Sequence, residues 1–184
     1  MMEREKRLAL INELAKQSSS GHIGRTALMK YLYFLQTLRR VPLGYKFSLY
    51  SYGPFDSDVL SDLDRAETMG VVSTEPVVFS GGYGYRIRAG KKVSTVGPGA
   101  LKFVKDSKQD VRWILEKFGG FSAAELELTS TIIYVDRESL RGGEKNSLAR
   151  LAKSVNEIKP HFDTNKILEY ATTLQKDGLL KSVA

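Results

Sequence analysis

No cysteine occurs in the chain, which excludes disulfides, thiolate metal sites and thiol nucleophiles and fits a reducing compartment. Histidine is almost as scarce. His22 and His161 are the only two, and neither is surrounded by a spaced His/Asp/Glu ligand set. No run of about eighteen apolar residues is present, so no spanning helix is expected. The opening Met1-Met2-Glu3-Arg4-Glu5-Lys6-Arg7 lacks the apolar stretch and small-residue cleavage site of a secretory signal. These absences predict a cytoplasmic protein with no membrane partner, no metal and no cofactor.

Patterns that carry catalysis are missing as well. Gly81-Gly82-Tyr83-Gly84 and Gly97-Pro98-Gly99 have neither the Lys-Ser/Thr of a P-loop nor the strand–helix setting of a dinucleotide fingerprint. Hairpin and linker glycines account for both. Glu125 and Glu127 stand two apart on a predicted helix and point to different faces, a poor acid/base pair. The chain is therefore expected not to be an enzyme.

What is present suits an ordinary globular protein. With 184 residues, 42% hydrophobic and 27% charged, it can bury a core as one large domain or two small ones. The net charge of +7 is distributed in blocks. Residues 1–50 carry nine Lys/Arg against three Asp/Glu, 51–80 one against six, 81–120 nine against three, and 121–184 nine against nine. A gathered positive charge points to an anionic partner.

Hydrophobic periodicity predicts a helix over 3–17 with Leu8, Ile11, Leu14 and Ala15 on one face. A second helix, about 26–38, is apolar nearly all round and belongs in the middle of the core. Tyr45, Phe47 and Leu49 alternate with Lys46, Ser48 and Tyr50 as a half-buried strand does, and Ser51-Tyr52-Gly53-Pro54 reads as a turn. Asp56 caps a third helix to Met69, closed by Gly70. Strands at about 71–79 and 83–88 follow, joined at Ser80-Gly81-Gly82. Three helices and a β-hairpin in this order predict a winged helix over residues 1–96. Beyond Val96-Gly97-Pro98-Gly99, four more helices are predicted at about 100–118, 122–138, 146–158 and 163–176, making 97–184 a helical unit whose end echoes the first three helices without a wing. The expected class is mainly α with a small β-sheet (α+β), with the winged-helix unit packed against the helical one.

Two candidate surfaces emerge. In the second wing strand Tyr83, Tyr85 and Ile87 face one way and Arg86 and Arg88 the other, with Lys91 and Lys92 following. With Lys102 and Lys105 on the next helix they could track a phosphate backbone. The alternative is a solvated edge strand guarded by cations against aggregation. The third helix has the opposite chemistry. Asp58, Asp62 and Asp64, read as exposed, disfavour its insertion into a major groove and suit a protein partner. Tyr50 and Tyr52 on the nearby turn have the character of an interface hot spot.

The run Gly24-Arg25-Thr26-Ala27-Leu28-Met29-Lys30-Tyr31-Leu32-Tyr33-Phe34-Leu35-Gln36, followed by Tyr50-Ser51-Tyr52-Gly53-Pro54-Phe55, resembles the Panacea-type (SocA-like, phage-associated) proteins and the related YwgA-like family. Glu125-Leu-Glu127-Leu-Thr-Ser-Thr-Ile-Ile-Tyr134 and Ile158-Lys-Pro-His161 are similar to the YwgA-like pattern. The resemblance implies a prokaryotic, antitoxin-like or regulatory protein and supplies no catalytic residue. The partners to be tested are thus a nucleic acid, a protein such as a toxin, and a second copy of the chain.

Overall fold

A computed structural model describes residues 2–79 and 82–183. The protein is mainly α with a small β component, seven α-helices and two two-stranded antiparallel sheets among the described residues. The chain forms two compact units. The first comprises residues 1–47 and 56–121, the second 48–55 and 122–184. Among the described residues no helix is long and apolar enough to cross a membrane.

In the first unit, α1 (Met2–Gln17) and α2 (Arg25–Leu38) are followed by α3 (Ser57–Thr68), the strands β3 (Val72–Phe79) and β4 (Gly82–Ala89), and α4 (Pro98–Phe118). The turn expected at Ser80-Gly81-Gly82 falls at residues 80 and 81 outside the described residues. Between α1 and α2, Ile23 makes a single antiparallel bridge to Ile87, with both N–H groups donating, at 3.0 and 2.8 Å. β4 therefore lies between Ile23 and β3, and the succession of helix, short strand, two helices and hairpin is that of a winged helix.

Helix α2 is buried without a break from Leu28 to Leu35, as its all-round apolarity predicts. α1 departs from expectation. It is buried from Leu8 through Ala15, including Asn12 and Glu13, because α3, β4 and α4 all pack against it. The boundary expected at residue 96 accordingly falls elsewhere, since α4 joins the first unit and Phe118 stacks on Phe34 of α2 with ring centroids 4.4 Å apart. Asn12 of α1 ties down the base of the hairpin, its Nδ2 donating to the carbonyls of Val71 at 2.6 Å and Gly90 at 3.3 Å. Gly90 is required there. A Cβ on it would lie 2.3 Å from the Gly70 carbonyl oxygen.

The strand expected from Tyr45 is shorter than its alternation suggests. The side-chain amide of Gln36 takes both backbone groups of Tyr45, at 2.9 and 3.0 Å, and a backbone so occupied cannot join a ladder. Pairing begins only at β1 (Ser48–Tyr50), whose partner β2 (Gly53–Phe55) falls where a turn was expected.

That hairpin belongs to the second unit with α5 (Ala123–Arg141), α6 (Leu148–Ile158) and α7 (Thr164–Lys176). β2 packs on α5, which is buried continuously from Leu126 to Ile133. Gly53, at φ +87°, lets the hairpin lie close. A Cβ there would stand 3.0 Å from Ser130 Oγ and 3.1 Å from Thr131 Oγ1. The expected caps form. Ser122 and Glu125 complete a capping box, and Asp163 accepts from Asn165 and Lys166 at the start of α7. Between α5 and α6, Asn146 makes a parallel bridge to Val183.

Candidate functional site

The units differ in charge. The winged unit holds nineteen Lys/Arg against twelve Asp/Glu, the second unit nine against nine. The whole excess of +7 thus resides in the winged unit.

Pairing in the hairpin sets its two faces. Ser73 and Glu75 oppose Arg88 and Arg86, so the three charged groups share one face. Glu75 Oε1 lies 3.3 Å from Arg88 Nη2 and 3.7 Å from Arg86 Nη1. One carboxylate thus serves two guanidiniums, all about half exposed, and such surface pairs are weak. The other face carries Thr74, Pro76 and Val78 opposite Ile87, Tyr85 and Tyr83. Ile87 is fully buried, whereas Tyr85 is 38% exposed, Val78 76% and Tyr83 85%. The core-facing side of the wing therefore runs past the core and ends as an exposed apolar ledge. Arg25, at the start of α2, lays its guanidinium over the Tyr85 ring, 3.6 Å from the centroid.

Beyond the wing, Lys91 and Lys92 are both exposed. The Lys92 stem passes over Gly70, so its aliphatic part covers backbone while the ammonium stays in water. On α4, Lys102 pairs with Asp106 at 2.6 Å. Lys105, Lys108 and Arg112 are exposed and have no ion-pair partner among the described residues. Their spacing places them along one side of the helix.

The acidic helix α3 is rearranged relative to expectation. Asp62 is not exposed. It is fully buried, its carboxylate 2.8 Å from Arg7 Nε and 2.9 Å from Arg4 Nε, and it accepts from the Tyr45 hydroxyl at 3.0 Å. Burial pushes this carboxyl above its ordinary range, against the pull of Arg7, Tyr45 and Arg4. The Tyr45 hydroxyl is likewise pushed up, by its own burial and by the Asp62 charge. Asp62 is thus a core ion pair and not part of a docking face. Asp56 is occupied too, accepting from the backbone N–H groups of Asp58 and Lys46. Glu67 accepts from Thr74 N and Oγ1 at 3.2 and 2.5 Å. Asp58 and Asp64 remain as exposed carboxylates with no side-chain partner among the described residues, beside Ser57, Ser61, Arg65 and Thr68. The outward face of α3 thus loses Asp62 to the core and keeps Asp58, Asp64 and Glu67 beside Arg65.

In the second unit Tyr50 and Tyr52 are 66% and 74% exposed, with Tyr50 stacked on Phe55 at 5.6 Å. Their turn is pinned from beneath. Lys159 Nζ donates to the Tyr50 carbonyl at 3.3 Å and to that of Ser51, while pairing with Glu127 Oε1 at 2.9 Å. His161 Nε2 stands 3.4 Å from the same oxygen. Glu127 and Lys159 are nearly inaccessible, and the His161 ring is more than half exposed. This cluster had little signal in the sequence, since Glu127 stands in a stretch that also holds Thr129, Ser130 and Thr131. Glu125 and Glu127 do diverge, as their spacing requires. Glu125 turns to Ser122 and Tyr170 instead, and their hydrogen bonds hold its carboxyl down at about 2. Burial and that carboxylate raise the Tyr170 hydroxyl to about 12. Asp136, fully buried, accepts from the backbone N–H groups of Lys181 and Ser182, from the Ser182 hydroxyl and from Arg137.

Among the described residues no group of three or more His, Asp and Glu is placed to hold a metal ion. A cleft of ≈ 430 Å³ in the winged unit is lined in part by Gln17, Ser18, Arg112 and Glu116. Its Ser18 hydroxyl is engaged with the His22 carbonyl at 2.8 Å. A scan against protein-family models finds no match to this chain, and a search of curated proteins finds none either.

Proposed function

We propose that this is a non-catalytic, cytoplasmic nucleic-acid-binding regulator, with phosphates held by Arg86, Arg88, Lys91 and Lys92 of the wing and by Lys102 and Lys105 of α4. The observation that carries the reading is the confinement of the whole positive excess to the winged unit, where exposed cations line the hairpin and one side of α4. The burial of Asp62 removes part of the electrostatic objection to α3 lying near a phosphate backbone. The residues that resemble the Panacea-type and YwgA-like proteins support an antitoxin-like role for such a factor in a prokaryote. Fluorescence anisotropy with a labelled oligonucleotide tests the proposal. Affinity should fall linearly on a log–log salt plot, and reversing Arg86, Arg88, Lys91 and Lys92 to Glu should abolish binding. No binding at 50 mM salt, about the low end of the usual range, would refute it.

A second reading is favoured by a separate observation, the exposed Tyr50/Tyr52 pair on a turn held rigid by Lys159. Aromatic side chains on a fixed backbone lose little freedom on docking and act as anchors. In this reading the partner is a protein, such as a toxin, bound through Tyr50 and Tyr52 or through Asp58 and Asp64 of α3. A stoichiometric partner retained by the wild type and lost by Tyr50→Ala/Tyr52→Ala would support it. Retention by that variant and by Asp58→Asn/Asp64→Asn would oppose it.

A further inference from the structure

We propose that the ledge on the core-facing side of the wing stacks unpaired bases, so that the preferred ligand is a single-stranded nucleic acid. This rests on the proposed function and names the substrate class of the same wing, on the face opposite Arg86 and Arg88. The first support is the asymmetry of the hairpin. Its polar face has Arg86 and Arg88 turned toward Glu75, whereas its other face presents Pro76, Val78, Tyr83 and Tyr85, with Val78 and Tyr83 directly opposed. Exposed apolar side chains contiguous on one strand face form a patch that water disfavours. Ile87 of the same face is already buried, so the tyrosines continue a packing surface past the point where the protein fills it.

The second support is spacing. Tyr83 and Tyr85 are two residues apart on one strand, which separates their Cβ atoms by roughly 6.7 Å along it. That is about twice the 3.4 Å step between stacked bases, room for one flat base between two rings. The third is charge. The Arg25 guanidinium already covers part of the Tyr85 ring, which places a cation against this face and suits a ligand with both flat rings and phosphates. A neutral apolar partner would leave that cation uncompensated. Aromatic platforms beside a cationic track are how single strands are held without base-edge readout, whereas a duplex keeps its bases stacked on one another and offers the ledge no free π-face.

The test is anisotropy with a labelled oligo-dT single strand and a mixed-sequence duplex of equal length, using the full chain, Tyr83→Ala, Tyr83→Phe and Tyr83→Ala/Tyr85→Ala. The single strand should bind more tightly than the duplex. Tyr83→Ala should weaken it about tenfold and the double variant more, with the salt slope unchanged, while Tyr83→Phe binds as wild type. Tyr83 is so exposed that its replacement leaves the folding transition where it was, which circular dichroism checks. Salt-dependent binding that is indifferent to both tyrosines, or that prefers the duplex, overturns the stacking proposal and leaves the cationic site standing. Absence of binding to either oligonucleotide overturns both.

Discussion

The winged unit and the second unit share a succession of elements and differ in what is attached to it. The first helix of each includes an eight-residue stretch buried on all sides, Leu8–Ala15 in α1 and Leu126–Ile133 in α5. Each has a bridge residue before its second helix, Ile23 or Asn146. The third helix of each is capped by an aspartate, Asp56 or Asp163, and followed by a left-handed glycine, Gly70 or Gly178, at φ +69° and +68°. After Gly70 the chain makes the cationic hairpin. After Gly178 it runs to Val183, which pairs directly with Asn146. The framework is common to both, and the charge excess belongs to the unit with the wing. The proposed nucleic-acid site accordingly falls on the wing and α4, the parts of the winged unit that the second unit lacks.

The units also hold their fully buried aspartates differently, and the largest expected effects come from that contrast. Asp62 is held by side chains alone, so Asp62→Ala leaves the largely covered Arg7 without its counter-charge and should cost about 4 kcal/mol. Asp136 is held largely by backbone N–H groups near the end of the chain. Asp136→Ala should cost less, about 2 kcal/mol, because most of the donors it leaves unpaired are neutral backbone and hydroxyl groups. Urea unfolding followed by circular dichroism ranks the two, and a larger loss at Asp136 would invert the contrast. In the second unit Lys159→Met strands the Glu127 carboxylate and frees the Tyr50–Ser51 turn. It should cost about 3 kcal/mol while leaving nucleic-acid affinity unchanged, measurable by the same unfolding and by anisotropy.

Charge removal separates the units more directly. Lys91→Ala/Lys105→Ala should lower the salt slope of binding by about 2, whereas Lys153→Ala/Lys166→Ala in the second unit should not change it. The smallest effect is one of pH. Glu125 falls from 4.5 to about 2 in the folded protein, so the folded state favours its charged form. The stability it contributes is complete above 4.5 and disappears as pH drops toward 2. Thermal unfolding across that window should lose a component in Glu125→Gln that the wild type shows.

The helices and their caps were legible because the signals are local. Asp56, Ser122 and Asp163 stand directly before apolar-periodic runs, and all three cap. The alternation of Tyr83, Tyr85 and Ile87 against Arg86 and Arg88 likewise placed them on the faces they occupy. What escaped is long-range. Asp62 reads as one of a row of surface acids until Arg4 and Arg7, more than fifty residues earlier, are brought against it with Tyr45. The irregular backbone at Tyr45 depends on one amide, that of Gln36, and no period encodes it. A one-residue strand such as Ile23 has no period either. The membership of α4 in the first unit rests on its packing against α1, which its basic composition concealed.

Lysine acetylation footprinting with and without oligonucleotide, read by mass spectrometry, tests most directly where the ligand lies. Lys91, Lys92, Lys102 and Lys105 should be protected by the bound strand, while the exposed Lys145, Lys153, Lys166 and Lys176 of the second unit react as before. Protection in the second unit with the wing and α4 left reactive would contradict the account.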